Sequence, residues 1–529
     1  MPELKKLEPS NPTFGYEPVR QAPWSPRRDQ VQDWVRIRRI KCDEVKPQCL
    51  RCTSTGRRCG YNTSSSPKPI GRPQLDNTPF LYQGSRERRA FEYYFHQAGP
   101  SISGVLDQAF WTGSVLQICR VEPVIWDAVI SLSALYERPP IHETLPWLRM
   151  NNPAAVRHQY HREALIWYSR SLAVLQQRIN QGTAELMVSL ISCILFIAIE
   201  MLQGNSKAAQ ILCKQGAQLM VGATSTATST ITILEPIFRR LGTWIFMANG
   251  LSEESSDLPF TVPDERFTSI QEARNVLYSI VAELKALRID SKAYLRRTAD
   301  AQLHEVSELV ARQQCLKTRF AHWYRIFTDL KPIPGSNIDG AAALLLMTYM
   351  SVFIEAEAVL NPDQGVYDAY ESEFAQIINL APTAVAWTRS SEGKQPPFMF
   401  EMGVFLPLFI TGLHCPFPDL RRQALRYIVE SPPAQGLVMC TPAAHFVAVL
   451  IGLEENPDNL PGQISQVYDL LAKPGHIPPA QYRICDFSMS PVMDEEGKMQ
   501  NWLNYTLHHF NELGRIQITE KKVLFPCIS

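Results

Sequence analysis

The chain has 529 residues, of which 45% are hydrophobic and 20% charged, and its formal net charge is zero. This composition excludes a chain that is disordered throughout, and the length exceeds what one hydrophobic core holds, so two or more domains are expected. The zero charge hides an asymmetry: residues 1–85 carry 15 Lys and Arg against 8 Asp and Glu, and the remainder carries 37 against 44. A basic N-terminal region on an acidic body indicates a polyanion-binding module attached to another domain.

Three segments precede the body of the chain. Residues 1–30 contain six prolines and little periodicity, which predicts a disordered N-terminal segment. Residues 31–61 hold four closely spaced cysteines, and residues 62–85 are rich in Ser and Pro, as linkers are. The other eight cysteines are scattered singly and the first thirty residues lack an apolar secretory segment, so we expect an intracellular protein with reduced thiols.

The four clustered cysteines are the most informative feature of the sequence. Cys42, Cys49, Cys52 and Cys59 are separated by six, two and six residues. Thiolates are soft ligands that zinc prefers, and a two-residue gap lets Cys49 and Cys52 bind one ion from a tight turn. A segment this short cannot bury enough apolar area to fold alone, so bound zinc must supply the folding energy.

Basic residues crowd the same segment. Eight of them lie between positions 36 and 58: Arg36, Arg38, Arg39, Lys41, Lys46, Arg51, Arg57 and Arg58. A strongly basic module that is stabilised by metal is typical of nucleic-acid-binding proteins.

This segment resembles the binuclear zinc cluster of fungal transcription regulators, in which six cysteines share two zinc ions. The family pattern is Cys-x2-Cys-x6-Cys-x6-Cys-x2-Cys-x6-Cys, with Arg-x-Arg-Arg-x-Lys between the second and third cysteines. The four clustered cysteines match the last four of the pattern, the stretch from Arg36 to Lys41 matches the basic motif, and Pro47 lies in the loop where the family tends to have proline.

The resemblance implies a division of labour among the basic residues. Zinc holds two short helices, and the first presents Arg38, Arg39 and Lys41 towards the major groove of double-stranded DNA. The remaining three, Arg36, Arg51 and Arg58, mainly contact phosphate.

The chain departs from the family pattern at the first two cysteines. They should lie at positions 32 and 35, where the chain has Gln32 and Val35. In the family the first and fourth cysteines bridge both metals, so the chain as written is expected to bind at most one zinc ion tightly. Two explanations stay open: a wrongly joined exon upstream, which the abrupt start of the match at Arg36 favours, and a genuinely degenerate module.

The body of the chain, residues 86–529, is predicted to be all-α. Apolar residues recur at helical spacing, and helices are predicted near 154–180, 184–203, 206–221, 269–288, 299–330, 339–360 and 398–413. The run from Leu186 to Ile199 carries no charge but is shorter than the about 20 apolar residues of a bilayer span, which predicts a buried core helix. The fold class is therefore mostly α, a zinc-cluster module followed by a large helical domain.

The start of the body also resembles a known domain. The stretch from Arg86 to Phe95, the Glu122-Pro123 pair and the stretch from His161 to Leu165 are similar to the opening of the helical fungal-specific transcription factor domain. The resemblance implies a regulatory body that receives signals or binds coregulators.

Two other motifs, a histidine pair and an acidic pair, are interpreted as ordinary parts of helices. His158 and His161 with Glu163 could suggest a metal site, but an exposed helix face is the better interpretation because no third ligand is placed. Glu495-Glu496 near Trp502 resembles an acidic activating patch, and the start of an ordinary amphipathic helix is preferred. No Walker loop, dinucleotide fingerprint or nucleophile elbow is present, so the protein is not expected to be an enzyme.

The sequence is thus interpreted as a nuclear, zinc-dependent, sequence-specific regulator of RNA polymerase II transcription. Its expected partners are double-stranded DNA and transcriptional coregulators, without a membrane, and dimerisation stays open. The alternative is a helical regulatory or adaptor protein that has lost DNA binding through its incomplete zinc cluster.

Overall fold

The computed structural model describes most of the body of the chain. The described residues are 84–140, 159–221, 234–242, 262–296, 303–330, 338–390, 392–493, 499–512 and 516–526. The predicted segments 1–30 and 31–61, and nearly all of the linker 62–85, lie outside them.

Helices dominate the described part of the chain, as predicted. The first eight are α1 Ser85–Tyr93, α2 Gly99–Ser103, α3 Val115–Ile118, α4 Pro123–Glu137, α5 Gln159–Asn180, α6 Leu186–Leu202, α7 Ser206–Val221 and α8 over residues 234–242. The next eight are α9 Ile270–Arg296, α10 Leu303–Thr328, α11 Ile338–Ala358, α12 Glu371–Trp387, α13 Phe405–His414, α14 Pro418–Glu430, α15 Cys440–Glu455 and α16 Ile464–Leu471. Two π-helical turns, Tyr94–Ala98 and Ala109–Ser114, join the first elements, and the 3-10 segment Gln364–Tyr370 precedes α12.

All seven predicted helices are confirmed, with one shortened. The helix predicted over 398–413 begins only at Phe405, because Met399 is instead paired with Gln435 in a β-bridge. Helices α12, α14, α15 and α16 were not predicted. Pro382 lies inside α12 and is the kind of residue that normally argues against a helix.

The apolar run from Leu186 to Ile199 is a buried core helix, as predicted. In α6 every side chain from Val188 to Ile199 is buried, which explains why apolar residues occupy all of its faces. A second apolar helix is Asp339–Ala358, which is the one helix of the described chain that is long and apolar enough to cross a membrane. Because 78% of its apolar window is buried within the protein, it has the character of a core helix.

Small polar residues let the N-terminal helices pack closely. Ser131 Oγ of α4 donates to the carbonyl of Ala164 at 2.8 Å, and Ser171 Oγ of α5 donates to the carbonyl of Val124 at 2.7 Å. Both serines are fully buried. Each hydroxyl group therefore has a hydrogen-bond acceptor on the backbone of the neighbouring helix. Because serine is small, the two helix axes can approach closely.

Gly340 is required for the contact between α11 and α12. A Cβ atom at Gly340 would lie 2.2 Å from Cβ of Trp387 and 2.3 Å from its Cγ. We expect Gly340→Ala to lower the free energy of unfolding by about 1–3 kcal/mol, as overpacking does. Urea unfolding followed by circular dichroism measures the change.

The control for this variant is Gly462→Ala. A Cβ atom at Gly462 would meet no atom within 4 Å, so the expected change is within about 0.5 kcal/mol. Equal losses in the two variants would show that the α11–α12 contact is not as tight as described.

A three-stranded antiparallel sheet follows α16, so the prediction that residues 86–529 are all-α is wrong for this part of the body. Its strands are β3 Ile484–Met493, β4 Met499–Phe510 and β5 Ile516–Leu524, in the order β3-β4-β5; the short strands β1 Ala434–Gln435 and β2 Val438–Met439 form a separate hairpin. The helix start preferred near Trp502 is wrong, because this residue lies in β4 opposite Ser490 and Leu524. The mostly α fold class is confirmed, and the sheet is an addition to it.

The sheet packs on the helical body through its alternating side chains. Leu503, Tyr505 and Leu507 of β4 are buried on one face, as a period of two residues requires. The ring of Phe487 in β3 lies 4.6 Å from that of Phe446 in α15. These contacts fix the sheet against α15 at the C-terminal end of the body.

A buried ion-pair network connects distant parts of the helical body. Arg274 of α9 donates to Asp107 at 2.9 Å and to Glu401 at 2.6 Å, and Arg240 of α8 donates to Asp107 at 2.8 Å. The four side chains are each at most 6% exposed. Burial alone would raise the pKa of Asp107, but the charges of Arg240 and Arg274 outweigh it and lower this pKa.

Candidate functional site

The site residues predicted from the sequence all lie outside the described residues. They are the zinc ligands Cys42, Cys49, Cys52 and Cys59 and the DNA-contacting residues Arg36, Arg38, Arg39, Lys41, Arg51 and Arg58. Their assignment stays a prediction, and the structure bears on it only through the chemistry of the other cysteines.

Six of the seven cysteines that the structure describes are buried or half-buried and have a raised pKa. Burial raises the pKa of Cys119, Cys193 and Cys415 to about 12 in each case, so these thiols stay protonated at neutral pH and offer no thiolate. No group of three or more potential metal-ligating side chains occurs within the described residues. The clustered cysteines 42–59 stay the predicted zinc ligands.

The same donor set fits one zinc ion better than two. Cys49, Cys52 and Cys59 would supply three thiolates of one tetrahedral site, and Cys42 would supply the fourth only by leaving its family position, whereas two ions would need the two further ligands that Gln32 and Val35 replace. The glutamine amide and the valine side chain are not ligands that zinc selects.

The structure describes only His161 and Glu163 of the possible histidine site, because His158 lies outside the described residues. Glu163 accepts a hydrogen bond from Gln159 Nε2 at 3.1 Å and forms an ion pair with Arg86. His161 belongs to no cluster of metal ligands among the described residues.

A cleft lies between α9 and the C-terminal sheet of the described body. Its empty volume, including the open mouth, is about 760 Å³. Helix α9 forms one wall with Arg288 and Lys292, and the ends of α11 and α13 form the floor with Glu355 and His414. The opposite wall comes from the sheet, where Asp486 lies in β3.

Two ion pairs cross this cleft. Arg288 Nη1 donates to Glu355 Oε1 at 2.6 Å, and Lys292 Nζ donates to Asp486 Oδ1 at 2.7 Å. The charge of Glu355 raises the pKa of Arg288, whereas burial and the neighbouring charge of Arg288 lower the pKa of Lys292. The second pair also attaches the sheet to α9, because Asp486 stands at the start of β3.

His414 lies at the floor of the cleft without a hydrogen-bond partner. Both of its ring nitrogens are buried and unpartnered among the described residues, and Nε2 lies 3.6 Å from Glu355 Oε1. Burial and the charges of Arg288 and Lys292 lower the pKa of His414 well below its ordinary value, so the ring is neutral. The ring of Tyr367 stacks on it at 4.7 Å. An unsatisfied buried imidazole costs about 1–3 kcal/mol and marks this floor as a place where another group could bind.

Sequence reasoning missed the cleft because its residues are far apart in the chain. Lining residues run from Leu284 to Ile518, and no spacing rule connects them. Arg288 and Lys292 are four residues apart and share one face of α9, but the helix was predicted to end at residue 288, so the sequence did not pair them.

Part of the N-terminal segment matches a known protein family. Residues 36–68 match the family described as the fungal Zn(2)-Cys(6) binuclear cluster domain. The match begins after positions 32 and 35, where the two family cysteines are missing. No solved structure matches the chain.

Three curated relatives are similar to parts of the chain. The aspercryptin biosynthesis cluster-specific transcription regulator atnN of Emericella nidulans is 24% identical over 336 residues, which cover 54% of this chain and 52% of the relative. Transcription regulator lscL of Purpureocillium lilacinum is 25% identical over 193 residues, 33% of this chain and 45% of the relative. Transcription factor lfc1 of Flammulina velutipes is 45% identical over 47 residues, 8% of this chain and 17% of the relative. The chain thus spans about half the length of these relatives or less.

Proposed function

We propose that the chain is a zinc-dependent DNA-binding regulator of RNA polymerase II transcription, because residues 36–68 match the fungal Zn(2)-Cys(6) binuclear cluster domain and its relatives are named transcription regulators. The protein would act in the nucleus, where its DNA target lies. Its helical body would bind coregulators. All three relatives are named as transcription factors or regulators, which agrees with a protein that is not an enzyme.

The observation that carries the proposal is the overlap of a metal-ligand pattern with a basic motif. Cysteines 42–59 fall at the spacing of the family, and the stretch from Arg36 to Lys41 precedes them directly. Bound zinc would supply the folding energy of the segment. The family resemblance implies a short helix held by the metal, which would present the guanidinium groups of Arg38 and Arg39 to DNA.

Two classes of arginine are expected to differ in their effect on DNA binding. Substituting Arg38 or Arg39 with alanine should relax sequence preference and cost about 1–3 kcal/mol per lost base contact. Substituting Arg51 or Arg58 with alanine should weaken binding evenly across sequences and lower the slope of log affinity against log salt by about 1. Titrations on matched and scrambled duplexes at several salt concentrations measure both effects, and identical effects of the two classes would refute the assignment.

The second candidate function is that of a helical regulatory protein without DNA binding. The observation that favours it is the presence of Gln32 and Val35 where the family has cysteines. Incomplete ligation would leave the basic stretch before Cys42 poorly ordered, and this is the part that must face the groove.

Selection from a random duplex pool separates the two candidates. The purified full chain is incubated with the pool in zinc buffer and, in parallel, after treatment with a chelator. The proposal predicts that a sequence motif is enriched only with zinc. Enrichment of no motif under either condition would favour the regulatory protein that lacks DNA binding.

A further inference from the structure

We propose that the cleft between α9 and the C-terminal sheet binds a small organic anion with an apolar body, such as a medium-chain carboxylate. This site belongs to the helical body and does not depend on the zinc cluster or on DNA binding. The cleft is open to solvent at its mouth and combines apolar walls with a few polar groups, as small-molecule sites do.

The cleft offers more hydrogen-bond donors than the protein uses. Arg288 makes one hydrogen bond, to Glu355, and Lys292 makes one, to Asp486, within the described part of the chain. A guanidinium has five N–H donors and an ammonium has three, so most of these donors are left for another partner. The two side chains are 31% and 36% exposed, which keeps them accessible from the mouth of the cleft.

Neutral donors on the floor add to this excess. Tyr367 lines the cleft, and its hydroxyl is a hydrogen-bond donor. Burial raises its pKa, so it remains a protonated donor. Beside it the neutral His414 has one donor and one acceptor nitrogen without partners. The polar floor is thus preorganised for an oxygen-rich group.

The unused donors of Arg288 and Lys292 favour an anionic ligand. Each carboxylate in the cleft, Glu355 and Asp486, is already engaged by a cation, while the cations keep unused donors. A carboxylate is the group that accepts from several N–H and O–H donors at once. A cationic ligand would instead be repelled by one guanidinium group, that of Arg288, and one ammonium group, that of Lys292.

Apolar side chains line the rest of the cleft. Leu284 and Leu295 come from α9, Val359 follows α11, and Ile518 comes from β5. These side chains suit the hydrocarbon body of a ligand whose charged end reaches Arg288, because small-molecule sites combine apolar walls with a few placed polar groups. A purely structural role of the two ion pairs would explain the attachment of the sheet, but neither the empty volume nor the unused donors.

Calorimetric titration of the full chain with three matched probes tests the ligand class. Octanoate, octanol and octylamine share the same hydrocarbon chain and differ in their head groups. We expect octanoate to bind, and the other two to bind at least about tenfold more weakly, since hydrogen bonds to charged groups are lost. No binding of octanoate at millimolar concentration, or tighter binding of octylamine, would overturn the proposal.

Variants locate the site. Arg288→Gln and Lys292→Gln should each weaken octanoate binding about tenfold or more, and Arg288→Lys should weaken it less because the charge is kept. Lys292→Gln is the safer variant for folding, since its partner Asp486 is partly exposed and can be hydrated; circular dichroism checks each protein. The matched control is Arg426→Gln, which removes an exposed arginine paired with Glu430 on α14 and should leave octanoate binding unchanged. Equal affinity of all folded variants would place the binding elsewhere and refute the assignment.

Discussion

Replacing Arg274 with methionine is expected to lower the free energy of unfolding by about 3–5 kcal/mol, as removal of one partner from a buried ion pair does. Arg274 is 3% exposed and donates to both Asp107 and Glu401. Its loss leaves Glu401 without a cation in this network and leaves Asp107 with Arg240 alone. Urea unfolding of the full chain, followed by circular dichroism, measures the change.

The control is Arg312→Met, which removes an arginine of the same helical body. Arg312 pairs with Asp290 at 2.7 Å, but the two side chains are 38% and 51% exposed. A surface pair of this kind contributes about 0–1 kcal/mol. Comparable destabilisation by the two variants would mean that the network around Arg274 is hydrated and not buried.

The pH dependence gives an independent check on the same network. The pKa of Asp107 is lowered from its ordinary value of 3.8 in the folded protein, so its ion pairs contribute stability that is present above about pH 4 and lost as the pH falls through the lowered pKa. The difference in stability between the unmodified protein and Arg274→Met should therefore shrink on acidification. A difference that stays constant down to the acid transition would contradict the role assigned to Asp107.

Restoring the two missing cysteines is expected to change both metal content and DNA affinity. The chain as written should retain at most one zinc ion after dialysis, and the double variant Gln32→Cys, Val35→Cys should retain two. Structural zinc contributes on the order of 10–16 kcal/mol of apparent binding energy in finger peptides, so a second ion should order the stretch from Arg36 to Lys41. Metal analysis and DNA titration measure the two effects.

A displaced pair of cysteines controls for added thiols. Gln30→Cys with Asp33→Cys keeps the two-residue gap but lies two positions before the family register. This variant should gain neither a stable second zinc ion nor DNA affinity. Two zinc ions in the unmodified chain would contradict the account and would point to ligands outside the four cysteines.

The helical body could be predicted where its periodicity is strong. The run from Leu186 to Ile199 needed no tertiary information, because an uncharged stretch of that length has few alternatives to a buried helix. By contrast, β4 has the alternation of Leu503, Tyr505 and Leu507 that marks a strand. The start of an amphipathic helix was predicted here, near the pair Glu495-Glu496, which itself lies outside the described residues.

The zinc cluster and the cleft also differ in how well the sequence can predict them. The zinc cluster is local, so its ligands can be recognised from spacing alone. The cleft is formed by residues from α9, α13 and the sheet, and the pairing of Lys292 with Asp486 spans 194 positions. Such a site depends on the docking of the sheet, which itself was not predicted, so the residues of the cleft could not have been grouped in advance.

Titration of the unmodified chain with a duplex enriched from the random pool, and with a scrambled duplex of the same composition, tests the central claim most directly. Fluorescence anisotropy is recorded in zinc buffer and after chelation. The account predicts tighter binding to the enriched duplex, lost on chelation and strengthened by Gln32→Cys with Val35→Cys. Equal binding to both duplexes, unaffected by the chelator, would contradict it.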